Sequence, residues 1–132
     1  MPSREPEPLF GTSNFRVLIG DRELGFAEVS RLTSEGEESH RFETVVLRRA
    51  LTRSTELYDW RRSIIEGKDD RREVTIHQLD APQGRAVNSW RLQRAWPRRW
   101  SGPAFNALAG EVAHEELELA FDDLVWLETK GD

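Results

Sequence analysis

The sequence predicts a mainly β (α+β) fold: a small antiparallel β-barrel or sandwich of about six to eight strands, with one helix packed on it. Three observations predict this. Several stretches alternate apolar and polar residues with a period of two. Only one stretch, near residues 53–66, carries apolar residues at helical spacing: Leu57, Trp60 and Ile64, with Ile65 beside them. Turn residues punctuate the rest of the chain, so short strands joined by tight connections are expected.

The elements follow in order. Residues 1–12, with Pro2, Pro6 and Pro8 among Glu5 and Glu7, read as a loose arm. Residues 14–19 alternate, with Phe15, Val17 and Ile19 on one face, and Gly20-Asp21 makes a turn. Residues 24–32 read as the second strand of that hairpin. The polar stretch 33–40 with Gly36 is a loop, and 41–47 is a third strand rich in β-branched and aromatic residues. The helix follows, with Thr52 or Ser54 as a cap and Gly67 as the left-handed residue that ends it. Residues 74–79 are a strand, 80–84 a turn, and 86–96 a long strand with Trp90, Leu92 and Trp96 on one face. Pro97 has no N–H to give and is expected to stop that ladder. Residues 96–107 form a connector with two tryptophans. The last strand, 111–121, sets Leu117, Leu119 and Phe121 against an acidic outer face of Glu116 and Glu118, with His114. The folded unit spans 13–127, and 128–132 is a tail.

Composition removes several function classes. The chain has 132 residues and a formal net charge of −5, which opposes general nucleic-acid binding. Without cysteine there is no disulfide framework and no thiolate metal site. No apolar run reaches the length of a membrane span, and no direct membrane binding is expected. His40, His77 and His114 lack any metal-ligand spacing. Glu115 and Glu116 are adjacent, so on a strand they point to opposite faces and make a poor acid–base pair. No phosphate-binding glycine loop or nucleophile elbow is present. The expectation is a protein that is not an enzyme and needs no cofactor. Its basic residues are nearly all arginine, only Lys68 and Lys130 being lysine, which suits fixed pairing with carboxylates. An alternative reading is a binding module whose Trp96/Trp100 end, flanked by Arg94, Arg98 and Arg99, stacks a ligand.

Four segments stand out together by their order and spacing. One runs from Leu51-Thr52 through Ser54, Glu56, Leu57, Tyr58 and Asp59 to Trp60. Another joins Asn14-Phe15-Arg16-Val17 to Gly25-Phe26-Ala27-Glu28-Val29-Ser30 and Leu32. A third joins Ala95-Trp96-Pro97 to Trp100-Ser101-Gly102-Pro103, then Asn106-Ala107. The last contains Glu111-Val112-Ala113, Glu115 and Leu117-Glu118-Leu119-Ala120. In this order and spacing the four resemble the tail tube proteins of contractile phages and of phage-tail-like contractile injection systems, with their Hcp-like fold. The resemblance implies a structural subunit: six copies close into a ring, rings stack into a hollow tube, and sheath, baseplate and tube-end proteins are partners. It implies that Leu51, Leu57, Tyr58, Trp60, Trp96, Pro97, Trp100, Gly102 and Pro103 serve folding or assembly. It further implies that Glu116 and Glu118 face the lumen, where a cargo effector or DNA would pass. Assembly in the cytoplasm, then residence in a virion tail or injection particle, is what this implies for location. The resemblance departs at residues 33–41, which are short and acidic, where bulk-tube proteins usually carry a longer glycine-rich, basic insertion. Three variants stay open: a tube protein with a minimal loop, a specialised ring at the baseplate or distal end, or a weakly assembling relative.

Overall fold

The computed structural model describes residues 14–30, 32, 43–103 and 113–127. The arm 1–12, the loop 33–40, residues 41–42, Asn106-Ala107, the 111–112 start of the last strand and the tail 128–132 lie outside the described residues.

Among the described residues there are eight strands and one helix. They are β1 (Phe15–Ile19), β2 (Arg22–Phe26), β3 (Glu28–Val29), β4 (Glu43–Ala50), α1 (Glu56–Ile65), β5 (Arg72–Leu79), β6 (Ala86–Ser101), β7 (His114–Phe121) and β8 (Asp123–Leu127). All pairings are antiparallel, in the order β2-β1-β5-β6-β7-β4-β3, with β8 beside β6. The order begins with β2 and ends with β3, which are consecutive in the chain. The sheet therefore wraps back on itself like a barrel, although its ends are joined through Ala27 rather than by a ladder. The Ala27 N–H reaches across to the Arg48 carbonyl at 3.0 Å.

The first hairpin is as expected: Gly20 takes φ 62°, the left-handed conformation its turn requires. The expected second strand is broken at Ala27. Its first half pairs with β1 and its second half with β4, because the chain changes sheets there. The third strand runs to Ala50 rather than to residue 47, so Arg48 and Arg49 belong to the ladder.

β6 corrects the reading most. It continues through Pro97 to Ser101. Pro97 is tolerated because its carbonyl faces α1, where it accepts a 3.2 Å bond from Arg61. N–H and C=O of one strand residue point the same way, so the missing donor also faces away from β7. Beyond a register shift at Val87 near its start, two more interrupt the strand. In the first, Gln93 and Arg94 stand opposite the single Glu73, and Arg94 adopts φ 57°. Inward positions then pass from Leu92 to Ala95 and Pro97. Trp96 consequently lies on the other face from Trp90 and Leu92, contrary to the alternation. Arg94 is held by a 2.8 Å bond to Asp122, whose N–H donates to the Gln93 carbonyl. Asp122 separates β7 from β8, so both arms of this long hairpin bend together. β8 is absent from the sequence reading, which ended its last strand at Phe121.

The core is Val17, Ile19, Leu24, Phe26, Val45, Leu47, Val74, Ile76, Leu92, Leu117, Leu119 and Phe121, closed by Leu57 and Trp60 of α1. The helix is shorter than expected, and Ile65 is exposed rather than part of the stripe. Ser54 Oγ accepts the Glu56 N–H at 3.2 Å, while the N-cap residue itself, Thr55, makes no side-chain cap bond. At the other end Gly67 takes φ 86°, and paired bonds run from Gly67 to Ile64 and from Lys68 to Ser63. The Trp60 indole donates to the Asp70 carbonyl at 2.7 Å, and the Arg72 guanidinium lies 4.7 Å above its ring. Arg72 also donates to the Asp70 carboxylate at 2.9 and 3.0 Å.

Two titrating groups report on this packing. The Arg72 bonds, joined by the Ser63 hydroxyl, hold the Asp70 carboxyl below its ordinary 3.8 against partial burial. Burial, helped by the nearby Arg16 and opposed by Glu23, holds His77 below its ordinary 6.5. Both depressed values stabilise the fold at higher pH. The His77 contribution is complete above pH 6.5 and is lost as pH falls through its lowered folded value. That of Asp70 is complete above 3.8 and is lost below it. Melting temperature should therefore fall in two stages on acidification, and His77→Asn should remove the first stage only. Trp60→Ala should cost about 3–5 kcal/mol in urea denaturation, since it empties the helix–sheet contact.

Candidate assembly surfaces

The β4–β7 ladder places Arg49 directly opposite Glu115. Both are at inward positions, in phase with Val45 and Leu47 and with Leu117, Leu119 and Phe121. Arg49 is 7% and Glu115 2% exposed. Arg49 Nε donates to Glu115 at 2.7 Å, and the Trp100 indole donates to the other carboxylate oxygen at 2.8 Å. Arg49 Nη2 lies 3.9 Å from Glu56 at the start of α1, and its guanidinium carbon lies 5.5 Å from the Phe26 ring centre. Glu56 in turn accepts two bonds from Arg22, at 2.9 and 2.7 Å. One charge chain thus ties β2, α1, β4, β7 and the end of β6. Sequence reading missed it, although 115 and 49 share the parity of the apolar positions.

This chain organises the residues the resemblance singled out. Leu57 and Trp60 are core. Tyr58, 42% exposed, meets Trp100 edge-on at 5.3 Å. Gly102 is required beside that ring, since a Cβ there would stand 2.9 Å from Trp100 Cη2. Leu51, at the end of β4, donates its N–H to the Ala113 carbonyl and exposes its side chain. Pro97 is buried within β6 and Pro103 is half-buried beyond it. Trp96 and Trp100 do not form a common platform. The second register shift, between Pro97 and Arg99, turns them to opposite faces, and Glu115 occupies the Trp100 indole. This removes the geometry on which the binding-module alternative rested.

The same shift puts the neighbouring residues Arg98 and Arg99 both on the outward face. Each reaches Glu118 at 3.5 Å. Arg48 stands 3.4 Å from Glu28 and 3.7 Å from Glu116. The outward face of β4, β7 and the end of β6 is therefore not acidic, as alternation implied. Neighbouring strands bring arginines to its carboxylates, a juxtaposition invisible along β7 alone. Among the described residues no cluster of three or more His, Asp or Glu is placed to hold a metal.

At the other end of β6, Phe15, Val29, Leu32, Trp90, Leu124 and Trp126 line an apolar groove of about 550 Å³. Trp126 is 67% exposed and its ring lies 5.7 Å from that of Trp90. The signal for it was present as Leu124-Val125-Trp126-Leu127, an apolar run beyond the double aspartate.

Removing one partner of the buried pair strands the other charge. Glu115→Ala should cost about 3–5 kcal/mol, whereas Arg49→Met combined with Glu115→Leu should be near neutral, both read by chemical denaturation.

The family model for the T4-like virus tail tube protein gp19 matches residues 37–125. No curated protein matches the chain in sequence. Solved structures share its fold. The sheath–tube complex of the extracellular contractile injection system PVC, in the extended state, contains a chain 20% identical with a TM-score of 0.72. That match covers 92% of this chain and 93% of the other. The PVC sheath/tube terminator structure contains one 22% identical, with a TM-score of 0.73 and coverages of 95% and 99%. Hcp1 from Flavobacterium johnsoniae is 13% identical, with a TM-score of 0.64 and coverages of 89% and 98%. The chain belongs to the T4-like virus tail tube protein gp19 family, and its part in such a particle is that of a tail tube structural subunit.

Proposed function

We propose that this subunit closes into a hexameric ring with a central channel, within the inner tube or a tube-end ring of a contractile phage tail or phage-tail-like injection system. The observation that carries this reading is the two-sided character of the sheet. One side is sealed by the core and α1, while the outward side of β4, β7 and the end of β6 is polar, charged and, among the described residues, without a helix over it. Such a face suits a water-filled channel. In this arrangement Glu116 and Glu118 point into the lumen and α1, with Tyr58, Arg62 and Ile65, faces outward. A ring of this kind joins unlike patches of neighbouring subunits. Sheath, baseplate and tube-end proteins are its partners, and assembly begins in the cytoplasm. The short 33–41 segment fits a ring with few inter-ring contacts, such as one at a tube end.

Negative-stain microscopy and light scattering at raised concentration should show rings or short tubes. A strict monomer at every concentration and salt, also with the sheath and baseplate proteins present, opposes the proposal. The face assignment has its own test, since the chain contains no cysteine. Glu116→Cys should react with small and polymer-linked maleimides as a monomer. After ring assembly it should be protected only from the polymer.

A further inference from the structure

We propose that Glu116 and Glu118 act as built-in counterions that bar polyanions from the proposed channel lining. This rests on that lining being the outward face of β4, β7 and β6, and it concerns what the face admits. Without its carboxylates the face would be strongly cationic. Arg48, Arg98 and Arg99 project there from two strands that flank β7. Their side chains are 35, 45 and 66% exposed, so they remain within reach of a large ligand. Three closely set guanidinium groups at strand spacing are a ready phosphate-backbone site.

The structure spends its carboxylates against this. Glu118, only 19% exposed at its side chain, sits between Arg98 and Arg99 at 3.5 Å from each. The extra residue in β6 is what brings both arginines to one side of it. Arg48 is shared between Glu28 at 3.4 Å and Glu116 at 3.7 Å. Three arginines thus meet three carboxylates, and the face carries no net charge from these groups. A phosphate backbone approaching it meets no net positive charge to displace its condensed cations, and that release is where nucleic-acid affinity comes from. Neutralising only Glu116 and Glu118 leaves the three arginines in place against Glu28 alone, which stays with Arg48, so the face gains net positive charge.

The test measures fluorescence anisotropy of a labelled single-stranded oligonucleotide with the full chain, and light scattering of the same samples. Wild type should not bind near physiological salt. Glu116→Gln with Glu118→Gln should bind, and its affinity should fall roughly 7-fold from about 50 to about 200 mM salt, the dependence expected for about two phosphate contacts on a single strand. Adding Arg98→Gln and Arg99→Gln should abolish most of that gain, and unchanged thermal melting of each variant confirms the fold. The proposal is overturned if wild type binds as tightly as the double variant, if the double variant gains no binding, or if the gain survives loss of the arginines. Scattering reads assembly separately, so a gain of binding without rings sinks the ring reading alone, and rings without the gain sink only this one.

Discussion

The buried pairing of Arg49 with Glu115 is the constraint on which the rest of the molecule depends. Two ionised groups at inward positions are tolerable only where they face each other. Arg49 and Trp100 satisfy the Glu115 carboxylate, while among the described residues Arg49 Nη2 makes no hydrogen bond and has only Glu56 at 3.9 Å. A one-residue slip of β4 against β7 would expose the pair's apolar neighbours and separate the charges. The pair therefore specifies register at the end of the sheet where apolar packing thins out. Through Trp100 and Glu56 it also sets where β6 ends and where α1 begins.

α1 in turn is held by different chemistry at each end. Near its start, Glu56 joins the charge chain and Leu57 enters the core. Beyond its middle, Trp60 is fixed by the Asp70 carbonyl and the Arg72 guanidinium, which belong to the connector into β5. The helix thus bridges the two halves of the sheet. Among the described residues its packing leaves one sheet face buried and the opposite one open, the asymmetry that suits a tube wall.

β6 carries the second organising feature, its two irregularities beyond Leu92. The first, at Gln93 and Arg94, lets one strand serve β5 and β8 with its first half and β7 with its second. A left-handed arginine costs on the order of 1–3 kcal/mol, offset in part by the Asp122 contact across the bend. The second shift decides which side chains share the outward face. It doubles arginine opposite Glu118 and turns Trp100 inward to Glu115.

Much of the architecture was legible because it follows from local pattern. Alternation located β1 and β7, β-branched and aromatic residues located β4, helical spacing located α1, and Gly20 and Gly67 marked where a left-handed residue was needed. Within the family motifs, Trp96 and Trp100 looked like a pair and are not one. The break at Ala27, the passage of β6 through Pro97, and β8 were hidden, because each depends on which strand lies alongside. Local periodicity reports which way a side chain points only while the strand keeps its phase. Bulges reset that phase, and cross-strand register chooses the charge that meets it. The class of fold and its helix were thus written along the chain, while the buried ion pair, the charge-matched face and the bend of β6 came from contacts between residues distant in sequence.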